Sequence, residues 1–479
     1  MRHSLVLKVL SFLLVFIGGA ILLPLPFSFY YNESPLGFLY STGLCWILGF
    51  SGIILLPKVQ KDIRSKEGFA IVGFGWLVFA FFGSLPYLFS GATTSMTDAF
   101  FETMSGITTT GATIFVDIEA LPKGILMWRS LTQWFGGMGI IVLTVAILPF
   151  LGVGGLQLFK AEVPGPVVDK LSPRIAQTAK ILWTVYVVFT ALEIVLLMFG
   201  GMDLFDSMCH SFTTLATGGF SPKNKSVGFY SSAYIDYTIT VFMIIAGTNF
   251  SLLYWLLKGQ IKHLFNNGEF KFYVAIILGS SVVIGFILFS NNQYNLFESF
   301  RYSIFQVASL MTTTGFGTAD YEEWSAASQL ILLALMFIGG SSGSTGGGLK
   351  VVRLIIIIRY IYTELVRLMH PQAIVHVKLG GVTVEKKTLT NIGSFYDLCP
   401  DNGFSTIVIS LFGLDIVTSI GAVATTINNI GAGFGLVGPT ENFAFLPDIV
   451  KWILSLLMML GRLEIYTIVI LLTPAFWKK

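Results

Sequence analysis

Met311-Thr312-Thr313-Thr314-Gly315-Phe316 decides the reading of this chain, because three other stretches answer it. Set on a shared glycine, they are Thr109-Thr110-Gly111-Ala112, Thr217-Gly218-Gly219-Phe220 and Asn429-Ile430-Gly431-Ala432. The glycines Gly111, Gly219, Gly315 and Gly431 stand 108, 96 and 116 residues apart. Two residues before each stands Thr109, Thr217, Thr313 or Asn429; six before stands Ser105, Thr213, Ser309 or Thr425. Self-similarity at a near-constant period marks a repeated structural unit. One Thr-Thr-Gly between apolar runs is an ordinary turn, but four copies with the hydroxyl register held are not.

Each copy closes a short, semi-polar segment, near 97–113, 206–221, 299–317 and 415–433. These segments are too short and too rich in Thr, Ser and Gly to cross a membrane alone. Long apolar runs flank them. About twenty apolar residues span a hydrocarbon core, and the chain offers ten such stretches: 5–25, 36–57, 68–90, 125–150, 176–200, 232–257, 272–290, 325–360, 388–412 and 448–475. The unit is therefore span, short helix, glycine turn, span, repeated four times. This divides the chain into two extra spans (1–66) and four pore repeats, 67–165, 166–265, 266–380 and 381–479. The expected fold is an all-α polytopic membrane protein with ten transmembrane spans and four re-entrant pore helices.

Composition agrees. Of 479 residues, 54% are hydrophobic and 11% charged, against about 25% charged in soluble domains. A soluble enzyme, a disordered chain and a disulfide scaffold are excluded on that balance. Continuous apolar runs, rather than alternating ones, exclude a membrane β-barrel. Cys45, Cys209 and Cys399 form no CxxC pair and imply neither disulfide framework nor zinc site. A net charge of +3 without a basic stripe gives no indication of nucleic acid. Arg2 and Lys8 flank an apolar run to Leu23, but its length, with Pro24 and Pro26 after it, reads as a retained first span rather than a cleaved signal.

Basic residues set the orientation, since short cytoplasmic loops collect Lys and Arg. They cluster after the second, fourth, sixth and eighth spans: Lys58, Lys61, Arg64 and Lys66; Lys160, Lys170, Arg174 and Lys180; Lys258, Lys262 and Lys271; then Lys350 through Lys387. With both termini inside, all four glycine turns fall on the outer side. Outer acids Asp117, Glu119, Asp320, Glu322 and Glu323 either raise the local cation concentration there or are simply solvated.

The physics suits a cation filter. Irregular backbone survives in a membrane only when buried in protein or lining a watery cavity. Glycine admits φ > 0, so successive carbonyls turn to one axis. A ring of such loops replaces an ion's hydration shell, and the helix C-terminus preceding each loop adds partial negative charge. The expected filter is Thr109, Thr110, Gly111, Thr217, Gly218, Gly219, Thr313, Thr314, Gly315, Asn429, Ile430 and Gly431, with K+ held at these residues.

On these loops the chain resembles the Trk/Ktr/HKT superfamily of potassium transporters, and within it the TrkH-type subunit. Met311-Thr312-Thr313-Thr314-Gly315-Phe316 and Asn428-Asn429-Ile430-Gly431 carry the likeness most distinctively, and it covers essentially the whole chain. Two extra N-terminal spans favour the TrkH type over the shorter Ktr form. The resemblance implies a pseudo-fourfold pore within one chain, and glycine at all four positions implies potassium. It also implies a bacterial inner-membrane location, a homodimer, and a cytosolic nucleotide-binding (NAD/ATP) regulatory subunit of TrkA type. The chain itself carries neither GxGxxG after a strand nor GxxxxGK[ST].

Three features stand outside the repeat. Gly339-Gly340-Ser341-Ser342-Gly343-Ser344-Thr345-Gly346-Gly347-Gly348 holds six glycines in ten residues inside the eighth span. Glycine costs about 1 kcal/mol per position in a helix, so the span breaks. Strongly apolar flanks place the break at membrane depth rather than in a linker, and the resemblance implies a gate loop under the filter. Arg462 lies mid-span, where a charge faces the bundle interior or a wet path. The resemblance implies that it projects into the pore below the filter. Glu464 is on another helix face, so a partner comes from elsewhere. His210, aligned with Glu102 and Gln306, is expected to buttress its loop.

One stretch departs from the pattern: Tyr396-Asp397-Leu398-Cys399-Pro400-Asp401-Asn402-Gly403 interrupts the ninth span with two acids, Pro and Gly. Either it lines a wet cavity, or the reading frame slips. Compatible codons read one nucleotide out of phase encode Phe-Met-Ile-Tyr-Val-Leu-Ile-Met-Val-Phe, an ordinary span, and resequencing the gene decides. The competing functions are a sodium or weakly selective monovalent-cation pathway and a multi-pass membrane enzyme. The latter lacks HExxH, paired carboxylates within a span, and a Ser/Lys or Ser/His arrangement at membrane depth.

Overall fold

The computed structural model describes residues 1–57, 64–139, 175–370, 378–379, 382–383 and 400–478. Over them the chain is helical, except for an antiparallel pair of two-residue strands, Lys378–Leu379 and Val382–Thr383, which an all-α reading leaves out. Among the described residues, five helices are long and apolar enough to cross a membrane: His3–Tyr30, Leu36–Leu55, Lys66–Phe89, Gln177–Phe199 and Gly268–Ser290. Their outer faces stay apolar; Ile47, Ile54 and Leu55 are 69%, 79% and 81% exposed. A patch of that kind needs lipid to cover it.

Three of the remaining expected spans are interrupted within the described residues. The stretch 232–257, expected as one crossing, forms Ala233–Ala246 and Phe250–Leu257 at a bend of 111°. The cause is local. Asn249 caps the second piece by accepting from the Ser251 amide at 2.7 Å, and the freed carbonyls of Ala246 and Gly247 accept amides from Thr345 and Ser341. The stretch 325–360 splits, as expected, into Ala326–Met336 and Val351–Met369. The last stretch, expected whole over 448–475, is broken at Leu463 between Asp448–Arg462 and Glu464–Leu472. The fourth follows Lys123–Gly137 and then leaves the described residues. So do Lys58, Lys61, Lys160, Lys170, Arg174, Lys386, Lys387 and the first half of the polar interruption, 396–399. The ninth span is described from Pro400, as Pro400–Ser410.

Four short helices, Met96–Ile107, Leu204–Leu215, Leu296–Met311 and Ile416–Asn428, precede the glycine turns. Each starts the same way: the side chain of Ser95, Asp203, Asn295 or Asp415 accepts the amide three residues on. Such caps satisfy an otherwise orphaned helix donor. Flanking helices bury the ends of these elements that lead into the turns, including hydroxyl-bearing faces that lipid would reject, while Leu204, Leu296, Phe297 and Ile416 near their starts stay exposed.

The chain ends meet. Arg2 pairs with Glu67 at 2.6 Å, and Lys66 donates to the carbonyls of Phe476 and Lys478 at 3.2 and 3.3 Å. Both termini therefore lie at one end of the bundle, beside the start of the Ser65–Gly83 helix.

Candidate functional site

Each short helix ends in the same backbone device. The amide one residue before the shared glycine donates to the carbonyl five residues further back: Thr110 to Ser105, Gly218 to Thr213, Thr314 to Ser309 and Ile430 to Thr425, all at 2.8 Å. The preceding amide closes the inner ring of a Schellman cap, as from Thr109 to Gly106 at 3.0 Å and Thr217 to Thr214 at 2.9 Å. The cap needs one left-handed residue. It is Thr109, Thr217, Thr313 or Asn429, with φ of 55°, 55°, 63° and 55°. Glycine or asparagine accepts that conformation easily, whereas a β-branched threonine is strained there. Repeated strain at equivalent positions points to function.

The four turns close on each other. A Cβ placed on Gly111 would fall on the carbonyl oxygen of Gly218, and one on Gly219 on that of Thr314. On Gly315 it would lie 2.5 Å from the Gly431 nitrogen, and on Gly431 3.0 Å from the Gly111 oxygen. First meets second, second third, third fourth, and fourth first. The loops thus form a ring of close backbone contacts that leaves no room for a side chain at Gly111, Gly219 and Gly315 and little at Gly431. Gly111, Gly219 and Gly315 also hold φ of 90°, 77° and 84°. Within the ring, Thr109 Oγ1 and Asn429 Oδ1 are buried without a hydrogen-bond partner among the described residues. Buried oxygens of that kind are free to face an ion or its water.

Buttresses hold the ring from behind. Glu102 accepts from the Ile114 amide at 2.9 Å and the Thr113 hydroxyl at 3.1 Å. His210 Nε2 lies 3.1 Å from Ser221 Oγ, and Gln306 donates to the Ala319 carbonyl at 3.1 Å. These three positions are equivalent, and the fourth repeat has Ala422 there. Gln133 brackets the second loop, donating to the Gly218 carbonyl at 2.7 Å and accepting the Phe220 amide at 3.0 Å. The outer rim carries acid. Burial pushes the Glu322 carboxyl above its ordinary range, although the Gly435 amide donates to it. The Asn224 side chain holds Asp117 below its own.

The glycine-rich segment is seated against the ring. Its neck is closed by the Gly339 amide donating to Leu349 at 2.8 Å, and Gly339, Gly340, Ser341, Ser342, Thr345, Gly346 and Gly347 are buried. The Gly347 amide donates to Thr313 Oγ1 at 2.7 Å, which ties the loop to a turn residue of the third repeat. Thr345 Oγ1 donates to the Leu215 carbonyl at 2.9 Å, at the end of the second short helix. Gly343 accepts from the Phe250 amide at 3.0 Å, and Lys350 Nζ reaches the Gly346 carbonyl. Ser344 and Gly348 complete the loop, the latter at φ 62°. Arg462 donates to the Thr345 carbonyl at 2.7 Å and to those of Gly136 and Gly137 at 2.7 and 3.2 Å. It bridges the loop to the end of the Lys123–Gly137 helix.

Residues 43–479 match the TrkH family, whose description is cation transport protein. This chain belongs to the TrkH family. It is accordingly a transporter and not an enzyme. Among its relatives, the Trk system potassium uptake protein TrkH of Halomonas elongata is 39% identical over the full length of both chains. The protein of that name from Escherichia coli (strain K12) is 38% identical, also over both full lengths. The Trk system potassium uptake protein TrkG of that organism is 35% identical over 98% of this chain and 97% of its own. The crystal structure of the potassium transporter TrkH from Vibrio parahaemolyticus superposes with a TM-score of 0.90 at 35% identity, covering both chains completely.

In this TrkH-family chain, the twelve loop residues named from the sequence converge on the ring, and the glycine-rich segment and Arg462 meet beside it. Sequence reasoning missed the four helix caps, although Ser95, Asp203, Asn295 and Asp415 were legible signals. It also missed Gln133 and Arg129, four residues apart on one helix face and both aimed at the second loop.

Proposed function

We propose that the chain takes up potassium through a gated, channel-like pore, with the ring of four glycine loops as its selectivity filter. The closed cycle of backbone contacts carries this reading, because main-chain oxygens set around one axis are what a dehydrated K+ requires. Potassium uptake is also the activity in the names of the relatives. Carbonyl oxygens of the loops, with Thr109 Oγ1 and Asn429 Oδ1, replace water around the ion. The short helices aim their C-terminal ends at the same place. Beneath the filter, Gly339–Gly348 acts as the gate and Arg462 as its clasp, adding a positive charge that lowers cation occupancy.

In this reading the chain has ten spans, four re-entrant pore helices and four pore repeats. It sits in a bacterial inner membrane with both termini cytoplasmic, works as a homodimer and answers to a nucleotide-binding TrkA-type subunit.

The test is direct. Supplied to a host that lacks potassium uptake, the gene restores growth on low potassium, and the purified protein in liposomes passes K+ in preference to Na+. Equal passage of both ions sinks the selective filter and favours the weakly selective pathway. Arg462→Gln removes the charge-assisted bonds to Thr345 and Gly136. Hydrogen bonds to charged groups contribute about 1.5–3 kcal/mol, so resting K+ flux rises about tenfold or more. Unaltered flux removes Arg462 from gating.

A further inference from the structure

Each loop of the ring is joined to the next by its own chemistry. The second and third meet through the Gly228 amide on the Gly317 carbonyl at 3.0 Å. The third and fourth meet through the Tyr321 hydroxyl on the Gly433 carbonyl at 2.7 Å. The fourth and first meet through the Phe443 amide on the Thr113 carbonyl at 2.8 Å. The first and second meet through Asn224, bonded to Ile118, Glu119 and Asp117, and, nearer the glycines, through Arg129, which is held by a buried ion pair within the first repeat. Arg129 Nε donates to Glu102 Oε1 at 2.7 Å, with the two side chains 1% and 0% exposed.

The pair is placed on the filter's own outgoing strands. Glu102 grips Thr113 and Ile114, two and three residues after Gly111. Arg129 donates to the Thr113 hydroxyl at 3.2 Å and, across the seam, to the Ser221 carbonyl at 3.3 Å, two residues after Gly219. Its guanidinium also lies 4.2 Å from the ring centre of Phe220, the residue that follows Gly219. One rigid planar group thus measures the distance between two glycine turns. Burying an ion pair adds little net stability, and an apolar pair of similar shape commonly serves as well. What the fork gives here is fixed geometry, which a lysine ammonium in its place does not reproduce.

We infer that Arg129, locked by Glu102, is a positioning residue that fixes the spacing of the first and second loops and thereby sets discrimination between K+ and the smaller Na+. The inference rests on the filter reading above. It predicts a signature that simple loss of folded protein does not give. Fewer intact molecules lower K+ and Na+ fluxes together, whereas a loosened seam changes their ratio.

The experiment measures K+ and Na+ flux in liposomes for the parent, Arg129→Lys, Glu102→Gln and Phe220→Leu, with Gly111→Ser as reference. Arg129→Lys is expected to lower the K+/Na+ ratio by about tenfold, the consequence of losing the fork's bonds to two loops. Glu102→Gln keeps an acceptor for Ile114 but frees the guanidinium, and lowers the ratio in the same direction. Phe220→Leu leaves the ion pair intact and removes only the ring beneath it, so it carries the test if the charge variants fail to reach the membrane; its ratio also falls. If the parent is selective and Gly111→Ser relaxes it while these variants keep the parent ratio, the inference is overturned and the filter stands. A parent that does not discriminate overturns both.

Discussion

Replacing Gly111 with serine lowers the K+/Na+ flux ratio of the reconstituted protein by about tenfold or more. Two effects act together. Gly111 holds φ of 90°, a conformation that L-residues avoid, and its missing Cβ is the space in which the Gly218 carbonyl oxygen sits. Backbone forced from such a place costs roughly 1–3 kcal/mol, and the displaced oxygen belongs to the neighbouring loop. The defect therefore spreads over two sides of the ring. The measurement is the ratio of K+ to Na+ flux in liposomes; an unchanged ratio counts against Gly111 as a filter residue.

Shortening 343–348 raises resting K+ flux by about tenfold or more. The deletion removes the Gly347 amide from Thr313 Oγ1 and the Thr345 hydroxyl from the Leu215 carbonyl, and takes from Arg462 its partner at the Thr345 carbonyl. At about 1 kcal/mol for each ordinary bond, these three contacts shift a closed-to-open balance by up to about a hundredfold. The neck at Gly339 and Leu349 lies outside the deletion, so the flanking helices keep their anchor. Flux that does not change returns the segment to the status of a linker.

The ring was legible in the sequence because its geometry is local. A Schellman cap spans six consecutive residues, so backbone bonding alone fixes the interval from Ser105, Thr213, Ser309 and Thr425 to the residue just before each glycine. The glycine-rich break was legible for a similar reason, since six glycines cannot hide in a helix. The bend at Gly247-Thr248-Asn249 was not legible. One glycine inside an apolar run is compatible with a straight span, and what decides the bend is a loop nearly a hundred residues further on. The break at Leu463 has the same character, with Gly461 pressed against the Ile427 carbonyl. Arg129 and Gln133 reach Ser221 and Gly218 across 92 and 85 residues, and no local pattern predicts such contacts. Arg462 was picked out by its depth, but its carbonyl partners on two distant elements were not.

The unequal quadrants have a genetic consequence. Asn429 occupies the place held elsewhere by threonine, Ala422 supplies no side-chain prop, and the third short helix runs to 16 residues where the first and second have 12. In a pore assembled from identical subunits, one codon change alters every side of the ring at once. Here it changes one loop, and its effect reaches only the loops packed against it. Each quadrant is thus free to drift or specialise while the loops it does not touch hold the architecture, and any one lesion enters once rather than four times.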